Sequence, residues 1–284
     1  MSELTRRILF AVIAAPASIA IVYFGDWALT ILLSVLAALA AWELYRIAQA
    51  TGSLPFDLAG IALAALFPIA VHAQRRGIYT LSLTVIVAMA LLIFAAAIWL
   101  RGPVGRPLSS VAITAFGVMY AALFSYVYLI RYHDYAVGAG AGTLLVLLPV
   151  LLTWATDIGA YVFGRTFGRR KLIPSVSPGK TVEGALGGLA SAVVICLVYV
   201  RFLLMPYAQL GLTLQGAVLF AIAISVAAQV GDLAESVLKR EAGVKDSSNI
   251  IPGHGGVLDR FDSLLFALPI AYLMLGRLLV PVPQ

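Results

Sequence analysis

The stretch IYTLSLTVIVAMALLIFAAAIWL, residues 78–100, contains no Asp, Glu, Lys or Arg, and it decides the class of fold. A bilayer core of about 30 Å needs about 20 consecutive apolar residues in helical form, so this run is long enough to cross. In hydrocarbon every backbone N–H and C=O must be paired within the protein, and a continuous apolar run of this length, about twice that of a barrel strand, does so as an α-helix. Working outward, the same test selects eight further segments, near 8–25, 27–46, 56–73, 108–130, 143–164, 185–205, 212–234 and 257–280. The expectation is an all-α fold, a polytopic membrane helix bundle of about nine transmembrane helices whose polar loops form a site facing the cytoplasm.

Composition agrees. Hydrophobic residues make up 62% of the 284 residues and charged residues 11%, with a mean hydropathy of +1.01; soluble domains are roughly 45–50% apolar. No polar stretch is long enough to be a separate soluble domain. Residues 1–140 are therefore expected to form N-terminal transmembrane helices and 141–284 a C-terminal transmembrane region of the same continuous bundle. The first segment follows Arg6 and Arg7 and contains APASIA, small residues like those at a signal-peptide cleavage site, but its apolar run continues to Phe24, which favours a span. Prolines 16, 68, 149 and 269 fall inside the expected helices, where packing and water satisfy the freed carbonyls. No internal repeat is visible, which argues against an inverted-repeat transporter. The lone Cys196 reads as a small buried hydrophobe.

The net charge of +6 is not a nucleic-acid signature, because no basic run is interleaved with aromatics on a soluble segment. Lipid head groups and nucleotide phosphates account for it better. With nine spans, 14 of the 19 lysines and arginines fall on the side shared by the N-terminus and the even-numbered loops. The positive-inside bias places that side in the cytoplasm.

Two loops on that side hold the polar chemistry. The sixth, TDIGAYVFGRTFGRRKLIPSVSPGKTVEG at 156–184, begins inside a helix with Asp157, an acid that must face the interior, a cation or water. Gly159, Gly164 and Gly168 allow close backbone approach, while Arg165, Arg169, Arg170, Lys171 and Lys180 suit a phosphate-rich ligand. The alternative is a topology signal that meets anionic lipid head groups. The GKT at 179–181 is not a P-loop, since Pro174 stands where that motif requires glycine.

The eighth loop is flanked by acids on two helices. Asp232, Glu235, Ser236 and Lys239 are spaced to line one helical face, as are Asp259 and Asp262 on the next helix. Such carboxylates repel unless a proton or cation intervenes. Magnesium is held by one or two carboxylates plus substrate phosphates, so Asp232 and Asp259, then Asp262, are the candidate metal ligands. Between the helices, the amides of GHGG at 253–256 are placed to face an anion at the start of the last helix. His254 within it would bind or protonate phosphate, or serve as a loop hydrogen-bonder. A salt-bridged interhelical loop is the alternative for the whole segment.

The segment SVLKREAGVKDSSNIIPGHGGVLDRFD, residues 236–262, resembles the signature of the phosphatidate cytidylyltransferases, also called CDP-diacylglycerol synthases. Ser236, Leu238, Lys239, Arg240, Lys245, Asp246, Ser248, Ile251, Pro252, His254, Gly255, Gly256, Asp259, Arg260 and Asp262 match it at every spacing. The sixth loop is similar to that family through Asp157, Gly159, Tyr161, Gly164, Lys171, Ser177, Lys180, Thr181 and Glu183. The first 140 residues add only hydropathy and length.

The resemblance implies an integral, multi-pass enzyme of the bacterial inner membrane that uses Mg2+, with room for a second cation, to condense CTP with phosphatidate. The products would be CDP-diacylglycerol and pyrophosphate. Catalytic roles then fall to Asp232, Asp259, Asp262, Lys239 and Arg260. Lys171, Ser177, Lys180, Thr181, Ser236, Arg240, Lys245, His254 and Asp157 would bind or position the substrates. Membrane lipids and a second copy of the chain are the other partners it implies. The rival readings are a CTP-dependent polyprenol or phytol kinase, and an ion-coupled transporter.

Overall fold

The computed structural model describes residues 3–136, 138–251 and 255–282, with side chains from Val12 onward. It is almost wholly helical. Helices α1 (Glu3–Phe24), α2 (Asp26–Ala50), α3 (Asp57–Arg75), α4 (Leu83–Leu100), α5 (Pro107–Ala122), α6 (Ser125–Arg131), α7 (Gly138–Phe167), α8 (Val182–Tyr199), α9 (Met205–Ala208), α10 (Leu214–Glu241) and α11 (Leu258–Leu278) follow in order. A π-helical turn at Val200–Leu204 joins α8 to α9 just before Pro206, whose missing N–H disfavours a regular α ladder.

Counting α5 with α6 and α8 with α9 as continuous runs, eight helices among the described residues are long and apolar enough to cross a membrane. The ninth expected segment lies in α1, apolar over Val12–Phe24. Eight of the nine spans expected from hydropathy are thus recovered in order, the first of the nine being a shorter apolar helix, and prolines 16, 68, 149 and 269 do sit inside helices. Helix α4, the stretch that decided the fold class, is roughly 27 Å long at 1.5 Å per residue. Leu83, Leu91, Leu92, Ile98 and Trp99 are exposed on it, as side chains facing lipid would be.

The chain groups into two compact units, neither a continuous stretch of sequence. The first comprises residues 1–21, 25–128 and 238–260, and the second 22–24, 129–237 and 261–284.

In the first unit α2 packs against α3 and α5 around Tyr45, which is buried and donates its hydroxyl to the Thr114 carbonyl at 2.8 Å. Helix ends are closed by charge. Arg101 donates to the carbonyls of Leu54 and Pro55 at 3.1–3.2 Å and lies over the Phe56 ring. Asp26 pairs with Arg76 at 2.7 Å and approaches buried His72, which bonds the Tyr128 hydroxyl at 2.8 Å.

In the second unit α7 and α8 form the most extensive helix pair. Without water-driven attraction between helices in lipid, close van der Waals approach has to hold such a pair. Ala160 and Gly164, one turn apart on α7, face the Gly184–Gly188 stripe of α8, and Gly168, just past the end of α7, faces Thr181. A Cβ on Gly184 would stand 2.7 Å from the Ala160 carbonyl oxygen and 3.1 Å from the Gly164 Cα, so only glycine permits this contact. The close approach expected of the sixth-loop glycines is therefore made within the chain.

Between α7 and α8 the chain forms a hairpin of β1 (Lys171–Ile173) and β2 (Ser177–Thr181), paired Lys171 to Thr181 and Ile173 to Ser177. Thr181 caps α8 by accepting from the Gly184 N–H at 3.1 Å, and the Glu183 carboxylate reaches back to the N–H groups of Arg169 and Arg170 at 3.0–3.3 Å. Thus α7 ends, the chain reverses, and α8 begins within 15 residues. A second two-stranded pairing, β3 (Leu210–Gly211) with β4 (Val280–Pro281), ties the end of the chain back to the turn before α10.

Candidate functional site

The hairpin forms one wall of a cavity of about 460 Å³ in the second unit. That volume falls within the roughly 300–1,000 Å³ usual for small-molecule pockets. Asp157, Ser177, Lys180, Thr181 and Asp232, all candidates from the sequence, line it, together with Tyr161, Arg165 and Gln229. Asp157 comes from α7, Ser177 to Thr181 from β2, and Asp232 from α10. Three segments that are far apart in sequence therefore converge on one space.

Across this cavity Lys180 Nζ pairs with Asp232 Oδ2 at 2.5 Å, the two side chains remaining 28% and 35% exposed. Ser236 extends the contact one turn along α10, its hydroxyl 3.4 Å from Asp232 Oδ1. A cation and an anion held together at a partly open wall can separate when a ligand brings charge of its own. Phosphates would draw the lysine, and a cation would draw the aspartate. Thr181 contributes less than expected to a ligand, because its hydroxyl is already the cap of α8. Lys171 is committed elsewhere, closing the hairpin through the Pro178 carbonyl at 2.7 Å. The strand at 177–181 also disposes of the P-loop, in which GKT would open a helix.

Asp262, on the second turn of α11, accepts from the N–H of Ser263 at 2.6 Å. A Cβ built on Gly231 would lie 2.5 Å from the Asp262 carbonyl oxygen. The turns of α10 and α11 that carry Asp232 and Asp262 therefore face each other.

The remaining signature residues lie in the first unit. Asp259 is only 5% exposed and carries four donors. Lys239 Nζ reaches Oδ1 at 2.7 Å, while the Gly256 N–H, the Ser247 N–H and the Ser247 hydroxyl reach Oδ2 at 2.8–2.9 Å. Arg240 donates to the Val244 carbonyl at 3.4 Å. Lys245 and Arg260 are exposed. His254, with Pro252 and Gly253, lies outside the described residues, so its proposed phosphate contact is not placed.

The amides at the start of α11 do meet an anion, but it belongs to the protein. Val257 N–H and Leu258 N–H donate to Glu43 of α2 at 2.8 and 2.7 Å, and Gly256 N–H donates to Asp259. Glu43 is fully buried and is the residue that sequence reasoning missed. Its signal was present, a lone acid inside the apolar run AAWELY of the second span. Gln229, whose amide reaches the Ala185 carbonyl at 3.3 Å from α10, was missed for want of charge. Among the described residues no group of three or more His, Cys, Asp or Glu side chains is placed to hold a metal on its own.

The model of the Cytidylyltransferase family matches residues 5–278. A phosphatidate cytidylyltransferase of Bacillus subtilis is 35% identical over 285 residues, covering 97% of this chain and 99% of that protein. One from Haemophilus influenzae is 49% identical over 129 residues, 45% of this chain and 44% of that protein. One from Staphylococcus saprophyticus is 46% identical over 134 residues, 47% of this chain and 50% of its own length.

Proposed function

The chain belongs to the Cytidylyltransferase family, and from that premise we propose that it transfers the cytidylyl group of CTP to phosphatidate. A phosphate oxygen of phosphatidate attacks the α-phosphorus of CTP, the bond from that phosphorus to the β-phosphate bridging oxygen breaks, and pyrophosphate leaves with CDP-diacylglycerol as the lipid product. The nucleophile is already anionic, so alignment and charge neutralisation matter more than a strong base. The observation that supports this reading is the cavity whose wall carries the Lys180–Asp232 pair, with Arg165 and Asp157 beside it. Lys180 and Arg165 would hold phosphates there, and Ser177 would position them. Lys239, Arg240, Lys245 and Arg260 are proposed as further phosphate-binding cations.

Magnesium fits the donor set in one respect. It needs only one or two carboxylates when substrate phosphates and water complete its shell, so the lack of a three-acid cluster does not count against it. Of the proposed ligands Asp232 fits best, since it lines the cavity and a divalent ion would replace the Lys180 ammonium beside it. Asp262, on the facing turn, is the second. Asp259 would bind an ion only by exchanging Lys239 for it, because its oxygens already have four protein donors within reach. When bound, the ion supplies neutralisation of the triphosphate and of the departing pyrophosphate.

We place the catalytic loops on the cytoplasmic side of a bacterial inner membrane, where CTP is available, with the diacyl tails of phosphatidate left in the bilayer. The test is transfer of label from α-labelled CTP into extractable lipid by purified protein in mixed micelles with phosphatidate, with and without magnesium. Labelled lipid that requires phosphatidate and magnesium, with stoichiometric pyrophosphate, is the expected result. No labelled lipid from folded protein would overturn the reading in favour of an alcohol kinase or a transporter.

A further inference from the structure

We propose that Glu43 is a positioning residue for this transfer, acting through Asp259; the inference rests on the cytidylyl-transfer reading. Glu43 lies in α2, in the half of the chain that the signature does not reach, and is 0% exposed. An ionised carboxylate has about four lone-pair sites, and four donors lie within reach of them, one of which, the Ser247 hydroxyl, is shared with Asp259. Ser248 Oγ and Val257 N–H reach Oε1 at 2.6 and 2.8 Å, and Leu258 N–H and Ser247 Oγ reach Oε2 at 2.7 and 3.1 Å. Two donors come from the middle of the loop between α10 and α11, and two from the last loop residue and the first residue of α11. One side chain therefore ties the middle of the loop to its end, and its charge lies at the positive end of a 21-residue helix.

The clasp reaches Asp259 through Ser247. The Ser247 hydroxyl has one proton and lies 3.1 Å from Glu43 Oε2 and 2.8 Å from Asp259 Oδ2, so it serves one carboxylate at a time. Gly256 completes the contact. A Cβ there would stand 2.5 Å from Glu43 Oε1 and overlap Ser247 Oγ, while the Gly256 N–H holds Asp259 at 2.8 Å. Glu43, Ser247 and Gly256 thus fix the position from which Asp259 holds Lys239. An exposed acid in the loop could not do this, since water would compete for each of the four donors.

Misplacing a reacting group by about 1 Å costs on the order of 100-fold in rate. Glu43→Gln keeps the volume but turns an NH2 toward donors. It is expected to lower kcat about 30- to 100-fold, with the KM for CTP and for phosphatidate within about threefold. The decisive measurement is a double-mutant cycle in kcat with Asp259→Asn. If Glu43 acts through Asp259, the double variant is no slower than Asp259→Asn alone; multiplied losses would overturn the proposal.

Ser248→Ala and Gly256→Ala provide a route that leaves Glu43 intact. A several-fold loss of kcat for Ser248→Ala and a larger one for Gly256→Ala are expected, in protein that elutes and melts as folded. Wild-type kcat in both would overturn the proposal even if Glu43→Gln does not fold. Absence of labelled lipid from the wild-type protein would instead remove the cytidylyl-transfer reading itself.

Discussion

The pair formed by Lys180 and Asp232 shows how one contact can matter to activity and hardly at all to stability. Both side chains are about a third exposed, and partly exposed ion pairs contribute about 0–1 kcal/mol. Lys180→Ala should therefore leave the melting temperature within a few degrees and raise the KM for CTP about tenfold or more, because a phosphate loses its cation. Unchanged CTP and phosphatidate dependence would reduce Lys180 to a topological charge. Asp232→Asn should lower kcat about 1,000-fold and shift the magnesium dependence, read as labelled lipid against magnesium concentration. Asp259→Asn stands apart from both. It places an NH2 among donors in a buried site, so about 1–3 kcal/mol of stability should be lost along with most, but not all, of the turnover. Near-wild-type melting with the same loss of turnover would show instead that the asparagine is accommodated and that only the charge is missed.

At the scale of the element, the hairpin is carried by the helix pair beneath it. The small-residue seam between α7 and α8 brings Asp157, the β2 residues and the start of α8 to one wall of the cavity. Gly184→Leu should force the helices apart and cost about 1–3 kcal/mol by overpacking, together with loss of CTP binding. Gly140→Ala is the control, since nothing lies within 4 Å of a Cβ there. Equal melting temperatures for the two variants, measured in detergent micelles, would mean that the seam does not hold the pair. The seam was partly legible. Gly159 and Gly164 announce close approach in a loop sequence, but their partners Gly187 and Gly184 sit in what reads as the start of an ordinary apolar span. The link from Glu183 back to the Arg169 and Arg170 N–H groups was less legible still, because a glutamate two residues after a threonine has many uses.

For the whole molecule, the distribution of charge makes an orientation testable. Cys196 is the only cysteine and is fully buried, so Cys196→Ser gives a silent background for introduced thiols. Arg170→Cys, in the exposed loop before β1, should react with a membrane-impermeant maleimide only in inverted vesicles. Ile78→Cys, exposed between α3 and α4, should react only in right-side-out ones. The reverse pattern would turn the proposed site to the other face of the membrane, away from the CTP pool. The two compact units are also a property of the whole molecule that no local signal announces. Each borrows from both halves of the sequence, and α10 and α11 pass from one unit to the other.

Hydropathy alone determined that this chain is helical and membrane-spanning and where nearly every span lies, because a continuous apolar run of about 20 residues satisfies its own backbone in hydrocarbon as a helix. The polar spacing of residues 236–262 likewise carried the family. What only the tertiary structure decided is which charge meets which. Asp232 pairs with a lysine 52 positions earlier, Asp259 is surrounded by protein donors, and the N-terminus of α11 is closed by Glu43, more than 200 residues before it. A carboxylate's partner depends on which donors the packed helices bring within 3 Å. That distance is set by glycine seams and helix register, neither of which is encoded locally around the acid itself.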